Sequence, residues 1–314
     1  MQIDIVIPCF MENANCQFIY ESIKNETNDL RYLSRGEFID IGILFIDNYS
    51  TDNTRVILED ICLKDSRVKA IFNSKNYGQL TSPLHGLCSS KADAAILIAC
   101  DGEDPVNLIG QMIDSWMDGN KIVACQKANF GESKLRSFFR RSGYRIMDAI
   151  SRYRTIHDFH GFGLYDKSAI ELFRTYKSAR PYIRMLINYF NLDFLILRYN
   201  REVRLHGKSS NNILSICQLA IDGITQQSNF PIRLATLLGA ISVMLCMPLS
   251  LVIISFIIAI ADTSMRLLLL SLLIQVLGFS ITLFIISSIG EYLLRMIDDF
   301  KDDSVVIEDR RINW

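Results

Sequence analysis

Two polar turns follow short apolar runs in this chain: Asp47-Asn48-Tyr49-Ser50-Thr51-Asp52 after Ile41–Ile46, and Asp101-Gly102-Glu103-Asp104-Pro105 after Ala94–Ala99. A third run, Ile3–Ile7, ends at Pro8-Cys9-Phe10. A carboxylate such as Asp47 can accept hydrogen bonds from a base or a ribose, and a Ser-Thr-Asp turn fixes its direction. The plain alternative is turn chemistry alone. Acidic residues and Pro105 likewise belong at the start of a helix. The elements that must position these turns are legible in the same stretches. Each run is β-branched, and helical periodicity separates them, which predicts βαβ units and a parallel sheet. In open parallel sheets ligands bind beyond the carboxyl ends of the strands, so the three tips converge on one crevice.

The chain has 314 residues, 50% apolar and 21% charged, enough for one large domain and a more apolar part. The apolar excess collects after Pro231. A formal charge of -1 gives no global attraction to nucleic acid, so no nucleic-acid partner is expected and any basic site must be local. Eight cysteines make no CxxC pair and no Cys/His metal spacing, and read as reduced core residues. MQIDIVIP reads as a first strand and not as a signal peptide.

Leu234–Ile260 carries no charge and, at roughly 1.5 Å per helical residue, reaches about 40 Å. A second uncharged run, Leu267–Gly290, follows a link too short for anything but a hairpin turn. Arg233, Arg295, Lys301, Arg310 and Arg311 flank the pair on one side and Arg266 alone on the other. The positive-inside rule then places the large domain and both termini in the cytosol, on a multi-pass inner membrane protein. The segment 213–232 has apolar residues at helical spacing and reads as an amphipathic helix, at the membrane interface or in a core. The expected division is 1–212 as the cytosolic domain, 213–232 as the juxtamembrane helix, 233–290 as a transmembrane hairpin and 291–314 as a cytosolic tail. Two uncharged spans offer no polar path for transport unless they oligomerise, which leaves a homo-oligomer open.

In order along the chain, Pro8-Cys9-Phe10-Met11-Glu12, Ile46–Asp52, Ser74-Lys75-Asn76-Tyr77-Gly78-Gln79 with His85-Gly86-Leu87, and Ile289-Gly290-Glu291-Tyr292-Leu293-Leu294-Arg295 look like the PxxNE, VDDGSTD, SRNxGQ and IGEYLxR motifs of one family. The chain resembles glycosyltransferase family 2, specifically its polyprenyl-phosphate glycosyltransferases. The resemblance implies a Rossmann-like α/β GT-A domain followed by an interfacial helix and two transmembrane helices. It places the nucleotide sugar on Pro8, Glu12, Asp47, Asn76, Gln79 and Asp101. The family's third strand tip reads DADLQDP and holds a divalent cation against the donor diphosphate. Here Ala99 replaces the first aspartate, Asp101 keeps the second position and Glu103 stands where the family has Gln. Asp101 and Glu103 together are therefore expected to hold Mg²⁺ or Mn²⁺; the alternative is that they cap the following helix. Asn48 and Tyr49 replace the family's second Asp and its Gly.

A phosphate acceptor is already ionised at neutral pH, so positioning and charge neutralisation matter more than a general base. Two basic clusters suit it: Lys127, Arg136 and Arg140 in one, and Arg201, Arg204 and Ser209, which look like the family's RxxRxxGxS segment, in the other. The loop His157–Lys167 resembles the family's GDFRLMDR region, with Asp158 and His160 as catalytic candidates; alignment on Phe162, Leu164 and Asp166 sets Gly161 on the family's aspartate. The expected activity is inverting transfer of a UDP-linked hexose to undecaprenyl or a similar polyprenyl phosphate at the cytoplasmic membrane face. The rivals are a GDP-mannose donor and a non-catalytic donor-binding or scaffold relative.

Overall fold

The computed structural model describes residues 1–129, 159–176, 182–200, 254–255, 263–300 and 306–314. The chain divides into two compact units, one of residues 1–149, 153–212 and 301–314 and one of residues 150–152 and 213–300.

The first unit is built on the strands β1 (Gln2–Cys9), β2 (Arg31–Ser34), β3 (Glu37–Asp47), β4 (Val68–Asn73), β5 (Ala94–Leu97), β6 (Ile122–Asn129), β7 (Gly163–Asp166), β8 (Leu195–Asn200) and β9 (Glu308–Ile312). Their order is β8-β6-β7-β5-β1-β3-β4-β9, with β2 paired to β3. The three runs expected from sequence become β1, β3 and β5, adjacent and parallel, with Ile5 opposite both Ile43 and Ile96. Alternation along β1 decides the layers, because successive side chains point to opposite faces. Ile3, Ile5 and Ile7 pack with α1 (Cys16–Glu26), α2 (Thr54–Lys64) and α4 (Leu108–Met117), while Val6 packs with α3 (Gly78–Ser89), α5 (Lys167–Thr175) and α6 (Ile183–Tyr189). Both faces are covered, which is why the central strands read as continuous apolar runs.

Helix α3 approaches the sheet closely because it carries Gly86. A Cβ there would lie 2.5 Å from Ile46 Cδ1 and 2.7 Å from Val6 Cγ1. The His85-Gly86-Leu87 motif is thus a packing requirement, and the approach sets where the start of α3, with Gln79, meets the strand tips.

The end of the chain differs from the expected tail. Residues 308–312 form β9, which pairs antiparallel with β4, opposite Ala70, Ile71, Phe72 and Asn73. Its alternation was too short and too charged to announce a strand.

In the second unit, the structure describes α7, Thr263–Phe300, a helix of 38 residues that contains Leu267–Gly290. Counting only described residues, no helix is long and apolar enough to cross a membrane; several side chains within the α7 run fall outside that set. The expected segment 213–232, and the first uncharged run apart from residues 254–255, lie outside the described residues.

Candidate functional site

A cleft of about 270 Å³ opens at the carboxyl ends of β1 and β5, where the topology predicts a ligand site. Pro8, Gln79, Asp101, Glu103, Lys127 and His160, all picked from sequence, line it together. They come from five separate stretches: the tip of β1, the start of α3, the turn after β5, β6, and the loop before β7. Ala99, Asp104, Phe162 and Tyr182 complete its wall.

The acidic turn is internally fixed. Asp101 Oδ1 accepts the Glu103 backbone N–H at 3.1 Å, and Asp104 Oδ2 accepts the Ala99 N–H at 3.2 Å. Asp104 is the residue that sequence reading left without a role. It is buried, accepts the Tyr199 hydroxyl at 2.7 Å, and lies 4.0 Å from the Lys127 ammonium. Burial raises its carboxyl above the usual aspartate range, with Lys127 and Tyr199 opposing. Burial, then Asp104, raises the Tyr199 hydroxyl in turn. Its signal was its place in the acidic turn, but its partner Tyr199 lies far along the chain.

Lys127 Nζ is also 3.7 Å from Glu103 Oε2, with both side chains nearly covered. The cleft therefore has a built-in cation beside its carboxylates. Asp101 and Glu103 are hard oxygen donors bordering a space of ligand size, and Mg²⁺ characteristically takes one or two carboxylates plus substrate phosphates. The residues present fit such an ion.

Three other expected donor contacts, Glu12, Asp47 and Asn76, are not among the residues lining the cleft. Asp47 is fully buried; its carboxylate accepts the Ser50 N–H at 3.1 Å and Arg55 Nε at 2.7 Å. Arg55, near the start of α2, also donates to the Asn73 carbonyl at 2.7 Å and pairs with Asp309 of β9 at 3.4 Å. Asn48 is the second brace: Nδ2 donates to Asn76 Oδ1 at 2.8 Å, and Oδ1 accepts the Tyr77 N–H at 2.9 Å. Asn76 Oδ1 also accepts the Gly78 N–H at 2.8 Å and so opens α3. Glu12 accepts an Asn15 amide donor and, through its carbonyl, the Cys16 N–H at the head of α1.

Tyr49 has φ 67°, in the left-handed region that glycine adopts freely. A side chain there costs about 1–2 kcal/mol. The Tyr49 ring recovers part of this against the Arg55 guanidinium, 5.3 Å from its centroid. Asp158, Arg136, Arg140, Arg201, Arg204 and Ser209 lie outside the described residues.

Residues 4–173 match the family model described as glycosyl transferase family 2. Over 308 residues the chain is 26% identical to the uncharacterized glycosyltransferase YkcC of Bacillus subtilis, covering 98% of this chain and 93% of that one. It is 24% identical over 242 residues to the prophage bactoprenol glucosyl transferase homolog of Escherichia coli K12, covering 77% of each. Among solved structures, residues 1–349 of TarS from Staphylococcus aureus share 12% identity at a TM-score of 0.43, covering 64% of this chain and 59% of that one.

Proposed function

The chain belongs to glycosyl transferase family 2 and is a glycosyltransferase with a nucleotide-sugar donor, and from that premise we propose that it moves a UDP-linked hexose onto polyprenyl phosphate at the cytoplasmic face of the inner membrane. The observation that carries the proposal is the cleft itself: two carboxylates and a covered lysine from separate elements meet where the sheet topology binds ligands. The relative named for bactoprenol, matched over 77% of this chain, supports a polyprenyl acceptor.

In this reading Asp101 and Glu103 hold Mg²⁺ or Mn²⁺, which when bound neutralises charge on the departing nucleotide. Lys127 supplies a second positive charge where the two phosphates meet. An acceptor phosphate oxygen forms the bond to the anomeric carbon as the bond to the nucleotide diphosphate breaks, with inversion. The acceptor enters already ionised, so the work of the chain is orientation and charge balance. Gln79 and Pro8 shape the donor side, and His160, at the exposed rim, contacts phosphate. Asp158, Arg136, Arg140, Arg201, Arg204 and Ser209 complete the acceptor side in the same reading.

Membrane anchoring rests on α7. Leu267, Leu268, Ile274, Ile281, Ile285, Ile286 and Ile289 are all exposed along it, a display that water does not tolerate over such a length. We read α7 as one span and Leu234–Ile260 as the other. Strand β9 pairs with β4, so the chain ends on the side it left, which agrees with two crossings.

The test is transfer of radiolabelled glucose from UDP-glucose to undecaprenyl phosphate by the purified full chain, with and without chelator. Lipid-linked label lost on chelation is expected. Turnover with GDP-mannose alone would reassign the donor, and nucleotide binding without turnover on any donor would make the chain a scaffold.

A further inference from the structure

Beside the cleft-lining residues Pro8 and Asp101, three cysteines converge, two of them seven residues apart and the third from far along the chain. Cys9 ends β1, Cys16 opens α1 and Cys100 lies in the turn after β5. Cys16 Sγ is 3.9 Å from Cys9 Sγ and 3.8 Å from Cys100 Sγ, and all three sulfurs lie within 4.8 Å of one another. None is more than 3% exposed. No motif spacing announces this group, because the sheet and the head of α1 assemble it.

The sulfur separations match a specific chemistry. Thiolates around one Zn²⁺ sit at about 2.3 Å from the metal, which puts neighbouring sulfurs of a tetrahedron about 3.8 Å apart. The observed triangle needs only tenths of an ångström of adjustment on two sides. Thiolate sets select zinc-like or monovalent copper ions over the hard cations that carboxylates take, so this group and the Asp101–Glu103 pair would not compete for one metal.

We propose that Cys9, Cys16 and Cys100 form a buried site for one thiophilic cation of the Zn²⁺ class, which staples the tip of β1 to the turn after β5. Pro8 and Asp101 are the immediate sequence neighbours of two ligands, and both line the cleft. Occupancy therefore fixes the spacing between two walls of the donor site.

The test uses the reduced, metal-stripped full chain titrated with Zn²⁺, and with Cd²⁺ as a spectroscopic probe. One equivalent per chain is expected, with thiolate-to-metal charge-transfer absorption from Cd²⁺ and a raised melting temperature from Zn²⁺. Cys16→Ala and Cys100→Ala should weaken Cd²⁺ binding by more than about 100-fold, the upper end of what losing an outer partner of a ligand costs. Cys88→Ala, outside the triangle, should leave it unchanged. X-ray absorption on the zinc-loaded wild type keeps the question answerable should the variants misfold: a shell of sulfur at about 2.3 Å supports the site. A shell of oxygen and nitrogen only, binding of Cu⁺ but not of Zn²⁺, or equal affinity in wild type and Cys16→Ala overturns it, and would leave three thiols packed as core side chains. None of these readouts depends on the sugar or the acceptor.

Discussion

Asp47→Asn separates two roles for one carboxylate. The sequence places Asp47 on the donor, whereas the structure buries it under Arg55 and the Ser50 N–H. Removing one partner of a buried ion pair costs about 3–5 kcal/mol. Arg55 keeps the Asn73 carbonyl and Asp309, and its side chain is 22% exposed, so the lower end applies. A loss of about 2–3 kcal/mol follows from that discount. For a domain of this size it corresponds to a melting temperature lower by about 5–10 °C. Combining Asp47→Asn with Arg55→Gln removes both charges, so the double variant should be more stable than the sum of the single losses, by at least about 1.5 kcal/mol. Thermal unfolding of the full chain followed by tryptophan fluorescence reads this directly, because Trp314 follows β9 and sits 4.1 Å from the Arg311 guanidinium. If Asp47→Asn melts with wild type while UDP-sugar affinity falls more than tenfold, the carboxylate serves the donor and the clamp argument is wrong.

Burial lowers the His85 imidazole below its usual value, with Glu308 opposing and Arg311 adding to the fall. The unfolded imidazole then takes a proton first as pH drops below about 6.5, so stability declines from there toward the folded value. His85→Gln should flatten the melting temperature between pH 7 and 5; an unchanged slope would assign it to another group. Gly86→Ala forces a methyl against Ile46 and Val6, at a net cost of about 1 kcal/mol after the gain in helix propensity. Adding Ile46→Val removes Cδ1 but leaves Val6 Cγ1 at 2.7 Å and Ile46 Cγ1 at 2.9 Å, so urea titrations should show only partial recovery, and no coupling between the two substitutions would place the clash elsewhere. Ile281→Arg puts a charge in the middle of the α7 run at about 2.5–3.5 kcal/mol. Carbonate-resistant membrane association should fall, whereas wild-type retention would take α7 out of the bilayer.

The core of the fold was legible because it follows from local pattern. Ile3–Ile7, Ile41–Ile46 and Ala94–Ala99 are short, apolar and buried on both faces, and they pair as expected. The cleft was half legible for the same reason, since the tips of those strands carry Pro8 and Asp101. The braces were not. Asn48, which departs from the family motif, ties β3 to Asn76 and Tyr77, an arrangement that shows only once the turn is folded. Strand β9 was missed because alternation over so few residues, dense with charge, does not differ from a solvated tail. Its pairing comes from long-range partners: Glu308 meets His85 at 2.6 Å, and the Ile307 carbonyl accepts from Ser74 at 2.8 Å.

Those partners give the apolar segment a topological constraint. The chain leaves the sheet from β8 at one edge and re-enters as β9 at the other. Adjacent strands are about 4.8 Å apart, so the two edges are separated by about 34 Å of sheet. The chain between Asn200 and Glu308 therefore begins and ends at opposite edges of the sheet. Ser74 and Tyr77, beside Gln79 of the cleft, hold Ile307 through hydrogen bonds at 2.8 Å. Strand β9 thus braces the turn that opens α3 and carries Gln79 to the cleft.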